Sequence, residues 1–328
     1  MNKMPLELGS GGRLMREFIS GPILDNLGNR FLNELSDSAL LPSGLALTTD
    51  SYVVHPLFFP GGDIGKLAIY GTVNDLIAAG AEPRYMSLAF IIEEGLDEAV
   101  IGRVLRSVRS AADRAGVLVV TGDTKLVRQG QADKLFINTS GVGKVIARPA
   151  LKAIRPGDKI IVTGEPGDHS LAVMSARGEF PIRTAARSDT APLLFLLNLW
   201  RTGALWMRDL TRGGLATILC ELAERLPYPV LIEEELIPFS RSVQAAADIL
   251  GIDPLFLASE GKAVVVAPGG KAENMVKAIR RSELGRKAAV IGQIGRSQGR
   301  PGELLLKTSA GGLRLLEPLT TELLPRIC

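Results

Sequence analysis

Strand-like and helix-like segments alternate along this chain of 328 residues, and glycine stands at many of the boundaries. Leu45–Val54 alternates apolar and polar residues, which is typical of a half-buried strand. Ile64–Ala79 and Leu96–Ala115 carry apolar residues at helical spacing, and each is followed by a glycine of the kind that ends helices. The alternation predicts a mixed α/β fold and excludes a coiled coil or a long disordered chain.

The alternation begins again after Arg155–Asp158, a turn signal that follows the predicted strand Leu135–Ile146. Beyond this turn the spacing predicts helices at 215–226, 243–250 and 272–281, and strands at 230–232, 263–266 and 288–294. These two runs predict two domains of α/β or α+β type, residues 1–150 and residues 151–328.

A balanced charge limits the partners that this chain can bind. Its 38 basic and 35 acidic side chains leave a net charge of +3, too small for electrostatic binding of nucleic acid. The most apolar stretch, 191–200, is far shorter than the roughly 20 residues of a membrane span, and the N-terminus has no apolar signal-peptide region. We therefore expect a cytoplasmic protein that binds neither nucleic acid nor membranes.

Aspartates flanked by hydroxyl-bearing or small residues recur near the ends of predicted elements. Asp37, Asp50 and Asp123 have such neighbours, and Asp75 lies in the predicted helix that follows the first strand. Carboxylate oxygens are the ligands that Mg²⁺ prefers, often together with phosphate. Each aspartate alone is equally explained as a turn or cap residue. For the set as a whole we favour a magnesium site.

Glycine-rich turns precede two of the predicted helices, in Pro60–Lys66 and in Arg208–Gly214. Such a turn presents free backbone N–H groups to a phosphate. Lys66 and Asn74 are eight residues apart and so lie on one helix face, where both can face a ligand. Neither turn has the Walker A spacing, and glycine before a helix is common for structural reasons alone.

The chain has two cysteines, Cys220 and Cys328, which excludes a disulfide framework. Cys220 lies in an apolar predicted helix and is interpreted as a small core residue. Cys328 is the last residue of the sequence, where a thiol without a role is an oxidation liability. We therefore favour a functional thiol at Cys328 over an inert tail.

Several motifs together resemble one family. They are Thr48–Ser51, Phe59–Lys66, Gly71–Asp75, Ile92–Gly95, Thr121–Lys125, Arg208–Gly214 and the ending Pro325–Cys328. The chain resembles the HypE family of hydrogenase maturation factors, in the superfamily that includes aminoimidazole ribonucleotide synthetase and selenophosphate synthetase. Two departures from the family pattern are Leu8, where histidine is frequent, and Ser259, where asparagine is usual.

The resemblance implies a two-domain fold of the aminoimidazole-ribonucleotide-synthetase type. Residues 1–150 form an ATP-binding and dimerisation domain, whose strands join those of a second subunit in a shared β-barrel of a homodimer. Residues 151–328 form an α+β domain that ends in a mobile tail, residues 317–328.

The resemblance also implies a reaction. The carbamoyltransferase HypF loads a carbamoyl group onto the thiol of Cys328, and the protein then uses ATP and Mg²⁺ to dehydrate this S-carboxamide to an S-cyanide. The cyano group passes to iron on a HypC–HypD scaffold complex, for the nickel-iron hydrogenase centre.

The site residues implied by the resemblance have distinct roles. Lys125 and Glu260 are expected to act with Cys328 in catalysis, removing the protons of the carbamoyl nitrogen. The expected phosphate contacts are Lys66, Asn74, Gly213 and Gly214. The expected metal and nucleotide ligands are Asp37, Asp50, Asp75, Asp123 and Asp209.

Two alternatives remain open from the sequence. One is another ATP-dependent synthetase of the superfamily, such as a selenophosphate synthetase, although no cysteine lies near the glycine loop at 9–12. The other is a non-catalytic carrier that only presents its thiol, although a carrier has no use for magnesium-type aspartates.

Overall fold

The computed structural model describes residue 4 and residues 12–178, 184–296, 299–320 and 327–328. The strands are β1 (Ala39–Leu40), β2 (Leu45–Tyr52), β3 (Phe58–Phe59), β4 (Gly62–Asp63), β5 (Ala81–Glu93), β6 (Leu118–Val127), β7 (Leu135–Val145), β8 (Lys159–Val162), β9 (Trp206–Asp209), β10 (Val230–Glu233), β11 (Ala263–Ala267), β12 (Ala289–Ile294), β13 (Leu304–Lys307) and β14 (Leu313–Leu316). The α-helices are α1 (Arg13–Phe18), α2 (Leu24–Leu27), α3 (Ile64–Ala78), α4 (Glu98–Ala115), α5 (Asp168–Arg177), α6 (Leu197–Thr202), α7 (Gly214–Glu224), α8 (Arg241–Leu250) and α9 (Ala272–Ile279).

The first sheet has the strand order β1-β2-β7-β5-β6. Its pairs are antiparallel except for β5 and β6, which are parallel and are connected through α4. Helix α3 packs on this sheet, against β2, β5 and β7, and α4 packs against α3. Strand β6 lies at one edge of the sheet.

The second sheet has the order β14-β13-β10-β12-β8-β11-β9. Its pairs are antiparallel except for β10 and β13. Strand β11 is buried on both faces, because Val264 and Val266 pack with the residues of α7 while Val265 packs in the cluster that includes α9. A continuous apolar run of this kind is what a strand covered on both faces requires.

Helix α3 joins the two halves of the chain. Nearly all of its residues are buried, because its other side packs against β9 and the segment at 194–196 of the second half. The indole Nε1 of Trp200 donates to the backbone oxygen of Ile77 at 2.7 Å. These contacts bring the C-terminal part of α3 and the loops of the second half to one place, where the candidate site lies.

The predicted order of helices and strands is confirmed for most of the chain, with two differences that matter for the site. Strand β6 continues through Asp123 and Lys125, which the sequence placed after a shorter strand. Arg208 and Asp209 end strand β9 instead of lying in a turn.

The apolar content of the predicted strands Leu45–Val54 and Leu135–Ile146 suggests unpaired edges that need a partner subunit, and this expectation about their edges is wrong. The two strands correspond to β2 and β7, which both lie inside the sheet, whereas β6 is an exposed strand at one edge. Apolar content does not separate a central strand from an edge strand, because both can carry large aliphatic side chains.

In the described segments, no helix has both the length and the apolar character that a membrane crossing demands.

Candidate active site

A cleft of about 250 Å³ lies where the two halves of the chain meet. Strand β2, helix α3, strand β9 and the loop before β11 all contribute to its lining, and so does the C-terminal residue Cys328. The acidic residues of its lining are Asp37, Asp50, Asp75, Asp209, Glu221 and Glu260.

Strand β2 directs alternate side chains toward α3. Thr48, Asp50 and Tyr52 share this face because successive side chains of a strand point to opposite sides. The hydroxyl of Thr48 lies 2.9 Å from Oδ2 of Asp75 on α3. Gly71 leaves room for Tyr52, since a Cβ at Gly71 would lie 2.3 Å from the Tyr52 hydroxyl oxygen. The strand and the helix therefore approach closely enough to bring Asp50 and Asp75 to one cleft.

Strand β9 supplies an arginine and an aspartate side by side. Nε of Arg208 lies 2.7 Å from Oδ1 of Asp37, and its Nη1 lies 2.7 Å from Oε2 of Glu221. Although burial lowers the pKa of Arg208, these carboxylates outweigh it and raise the pKa above its ordinary value. Arg208 is thus a fixed cation in the acidic cleft.

The buried carboxylates raise one another's pKa. Burial, and then the charge of Asp37, raise the pKa of Asp209 to about 7. Burial and the charge of Asp209 raise the pKa of Asp75 and of Glu260 well above their usual range. Oδ2 of Asp209 and Oε1 of Glu260 have no hydrogen-bond partner within the described structure. Excess negative charge and unpaired buried oxygens indicate a site built for a cation.

The end of the chain lies inside this cleft. Ile327 is 4% exposed and packs in the main apolar cluster, and the backbone N–H of Val53 donates to the carbonyl oxygen of Cys328 at 3.3 Å. Cys328 therefore lies in the same cleft as Glu260 and Asp50. Cys220, in contrast, is buried in α7, and burial raises the pKa of its thiol to about 12.

The donor set fits Mg²⁺ bound together with a nucleotide better than a metal held by protein alone. Throughout the described segments, no three His, Cys, Asp or Glu side chains are arranged to hold a metal ion by themselves. Mg²⁺ usually takes only one or two carboxylates, with water and substrate phosphate completing its octahedral shell. The unpaired Oδ2 of Asp209 and the neighbouring Asp50 and Asp75 meet that requirement.

Two predicted residues lie apart from the cleft within one chain. Asp123 and Lys125 are on the edge strand β6, where the Lys125 ammonium lies 3.0 Å from the Asp123 carboxylate and both side chains are exposed. Within one chain, the described structure does not bring them to the cleft that holds Glu260 and Cys328.

The predicted phosphate contacts are also dispersed. Lys66 lies near the N-terminus of α3, about 13 Å along the helix from Asp75, and its Nζ is 3.5 Å from the backbone oxygen of Gly61. Asn74 donates to the backbone oxygens of Ala191 and Glu260, at 3.1 and 3.4 Å, and accepts from the N–H of Leu193. This geometry gives Asn74 a role in holding Glu260 and does not support a phosphate contact.

Gly213 and Gly214 shape the start of α7. Both have positive φ angles, and a Cβ at Gly214 would lie 2.6 Å from the backbone oxygen of Leu255. Glycine is therefore required here for structure, and the predicted phosphate contact of these residues stays a prediction. The preceding residues Thr211 and Arg212 line the cleft.

Sequence reasoning assigned no role to two arginines of the site. Arg212 lies 3.3 Å from Asp50, and Arg208 bridges Asp37 and Glu221. Both belong to the motif around Asp209, one and three residues away from it. Their closeness in sequence to a candidate metal ligand is the signal that could have identified them as site residues.

The fold and the acidic cleft define a class of protein. The model of the AIR synthase related protein N-terminal domain matches residues 36–145, and that of the C-terminal domain matches residues 155–301. The chain is thus an AIR-synthase-related protein, with the cleft between the two matched parts.

Comparison with individual proteins narrows the class. The carbamoyl dehydratase HypE of Azotobacter vinelandii is 41% identical over 98% of this chain and 96% of its own length. A crystal structure of HypE in complex with ATP has a TM-score of 0.83 and 42% identity, covering 99% of this chain and 100% of that one. A crystal structure of a HypE–HypF complex gives a TM-score of 0.87 and 40% identity, covering 92% of this chain and 99% of the matched chain. The chain belongs to the HypE family of hydrogenase maturation proteins.

Proposed function

We propose that this protein is an ATP-dependent carbamoyl dehydratase, which converts a carbamoyl group on the thiol of Cys328 into a thiocyanate. The single observation that carries the proposal is the position of Cys328 inside the acidic cleft, beside Glu260 and the aspartates. A group attached to that thiol therefore lies in the same cleft as the buried carboxylates.

The reaction removes water from an amide. The carbamoyl oxygen is a poor leaving group, and transfer of the γ-phosphate of ATP to this oxygen makes it a good one. The C–O bond then breaks with release of phosphate, while the carbamoyl nitrogen loses both N–H protons and the carbon–nitrogen triple bond forms. ADP and phosphate are the products besides the S-cyanide.

Glu260 is the proposed acceptor of a carbamoyl proton. Its pKa is raised by burial and by the charge of Asp209, which makes its carboxylate a better base than an exposed glutamate. Its backbone is fixed from both sides, since its N–H donates to Oδ1 of Asp189 at 3.0 Å and its carbonyl oxygen accepts from Asn74. Lys125 is the proposed second group, which orients the carbamoyl or takes a proton when neutral.

Asp50, Asp75 and Asp209 are the residues that would hold Mg²⁺, with Asp37 and Asp123 as further ligands. The ion neutralises phosphate charge during transfer when it is bound. Arg212, which is about half exposed beside Asp50, is placed to bind a phosphate oxygen. The remaining proposed nucleotide contacts are Lys66, Gly213 and Gly214.

We also propose a homodimer in which β6 packs against a partner subunit. Leu118, Val120 and Leu126 on this edge strand are 64%, 59% and 75% exposed, and an exposed apolar edge invites pairing with another chain. In this arrangement the partner contributes Asp123 and Lys125 to the cleft. A shared β-barrel, as the resemblance implies, would cover the exposed strand β6 and would also bring Asp123 and Lys125 to the partner's cleft.

Two further partners follow from the proposed chemistry. The carbamoyl donor is a carbamoyltransferase of the HypF type, and the HypE–HypF complex supports this choice through its likeness to the chain. The cyano acceptor is an iron-carrying HypC–HypD scaffold. The carrier alternative predicts no ATP turnover, and the selenophosphate synthetase alternative predicts ATP turnover that does not depend on Cys328.

The test follows the mass of the terminal peptide after incubation with a HypF-type carbamoyltransferase, carbamoyl phosphate, ATP and Mg²⁺. We expect an adduct on the wild-type chain that loses the mass of water when the dehydration proceeds. Cys328→Ala should abolish the adduct, whereas Lys125→Ala and Glu260→Ala should accumulate the carbamoyl form. The matched control is Cys220→Ala, which should behave as wild type, and an adduct on Cys220 in the Cys328→Ala variant would refute the proposal.

A further inference from the structure

His169 is a buried histidine at the start of α5 for which the proposed reaction has no role. It is 0% exposed, and both of its ring nitrogens have partners. Nε2 lies 2.8 Å from the carbonyl oxygen of Ile327, and Nδ1 lies 2.8 Å from the hydroxyl oxygen of Ser188. A carbonyl oxygen can only accept, so these partners assign the proton to Nε2, and Nδ1 accepts from Ser188. Burial lowers the pKa of His169, which favours this neutral form.

The imidazole is held in place by groups that do not belong to the C-terminal tail. Ser188 is itself fixed, because its N–H donates to the backbone oxygen of Pro60 at 2.8 Å and its hydroxyl oxygen accepts from the N–H of Thr190 at 3.2 Å. The ring of Phe59 packs edge-on against His169 with a centroid separation of 5.4 Å. The Nε2–H group therefore keeps its direction whether or not the tail is docked.

Two further contacts of the described end of the tail lie on either side of the bond to His169. The side chain of Ile327 is buried in the main apolar cluster, and the N–H of Val53 donates to the carbonyl oxygen of Cys328. The bond from His169 lies between these two contacts, on the peptide unit that joins Ile327 to Cys328. It is one of the contacts that hold the described end of the tail in the cleft.

We propose that His169 is a positioning residue for the C-terminal tail, whose Nε2–H binds the carbonyl of Ile327 and so holds the Cys328 thiol in the cleft. The inference rests on the proposed function only in that the docked thiol carries the reacting group. When the tail leaves to meet a partner, the buried Nε2–H loses its acceptor. An unsatisfied buried donor is costly, so His169 biases the tail toward the docked position.

The test measures how fast maleimide modifies Cys328 in the full-length protein, read from the mass of the terminal peptide. His169→Phe keeps a ring but removes the donor, and we expect labelling to become about tenfold faster because the undocked fraction rises. His169→Gln retains an N–H at a similar distance and should label at nearly the wild-type rate. His55→Phe, at the other histidine, whose side chain is partly exposed, should label as wild type.

A second variant loosens the docked tail and leaves the His169 contact in place. Ile327→Ala removes the buried side chain but keeps the backbone carbonyl, so it serves as the positive control for faster labelling of an undocked thiol. Unchanged labelling in a folded His169→Phe variant would overturn the proposal, as would a His169→Gln variant that labels as fast as His169→Phe.

Activity supplies a readout that a general loss of structure would not give. In His169→Phe the carbamoyl adduct should still form but lose water about tenfold more slowly, with unchanged affinity for ATP. Weakened ATP binding in a folded His169→Phe variant would point to a structural role and overturn the proposal. The labelling result is independent of the chemistry, so a wild-type protein that never dehydrates its adduct would refute the proposed function and leave the tail contact standing.

Discussion

The guanidinium of Arg212 lies 3.3 Å from the carboxylate of Asp50, and this contact links the two halves of the chain across the cleft. Arg212 follows strand β9 in the second half, and Asp50 lies on β2 in the first. The pair places a cation beside a proposed magnesium ligand, an arrangement suited to a metal-bound phosphate. A nucleotide bound at this pair would therefore contact both halves of the chain.

Replacing Arg212 should therefore weaken nucleotide binding. In Arg212→Ala we expect affinity for ATP with Mg²⁺ to fall by about tenfold or more, because a charge-assisted hydrogen bond to phosphate is lost. Arg212→Lys should recover only part of this, since an ammonium lacks the planar fork of the guanidinium. Calorimetric titration measures both variants. The control is Arg109→Ala, on the exposed face of α4, which should bind as wild type. Equal affinities for ATP in the wild type, both Arg212 variants and the control would contradict the expectation.

The proposed metal ligands can be tested one by one. Asp50→Ala and Asp123→Ala should each weaken binding of ATP with Mg²⁺ sharply, because a carboxylate that bridges metal to phosphate has no substitute nearby. Asp113→Ala removes an exposed aspartate of α4 and should leave the affinity unchanged. Calorimetry again decides. Wild-type affinity in both Asp50→Ala and Asp123→Ala would remove these residues from the site.

The dimer can be tested at the exposed strand. Val120→Lys on β6 should shift the protein from dimer to monomer in light scattering, because a charge replaces an apolar side chain in the proposed interface. Leu105→Lys changes an exposed leucine of α4 and should leave the dimer intact. A wild-type protein that is monomeric at micromolar concentration would contradict the proposal before any variant is made.

A shared site makes a further prediction about mixtures. Lys125→Ala and Glu260→Ala proteins should each be inactive alone, but mixed dimers should regain activity. In such a dimer one cleft combines the intact Glu260 of one chain with the intact Lys125 of the other, so about one cleft in four should work after random exchange of equal amounts. Mass spectrometry of the terminal peptide counts the dehydrated product. Mixtures that stay inactive although subunits exchange would show that Lys125 and Glu260 do not act across the interface.

The sequence was sufficient for the elements whose pattern is local. Helix α4 has one apolar face, a cap at Asp97 and a glycine after its end, and its predicted bounds differ from the structure by two residues at one end. Helix α3 was also found, although it is buried on nearly all sides, because the turn before it and Gly80 after it are local signals. Neither pattern shows which strand becomes the sheet edge.

The cleft depends on contacts between residues far apart in sequence, which no local pattern records. Asp37 meets Arg208, and Asp50 meets Arg212, only because α3 packs between the two halves. The resemblance assigned the aspartates to one predicted site. It could not show that Asn74 donates a hydrogen bond to the backbone oxygen of Glu260, or that His169 contacts the carbonyl oxygen of Ile327. Those roles follow from how the chain packs.

The pH dependence of metal and nucleotide binding should report on Asp209. This side chain is 5% exposed, and burial together with the charge of Asp37 raises its pKa to about 7. A carboxyl group must lose its proton before it can bind Mg²⁺, so below about pH 7 binding has to release that proton. We therefore expect affinity for ATP with Mg²⁺ to rise with pH between about pH 6 and about pH 8, by as much as about tenfold per unit at the acid end. Titration calorimetry in two buffers of different ionisation enthalpy measures the released proton directly. Asp209→Asn should bind more weakly and lose this proton release, and a wild-type affinity that is constant across the range would show that Asp209 is not a ligand.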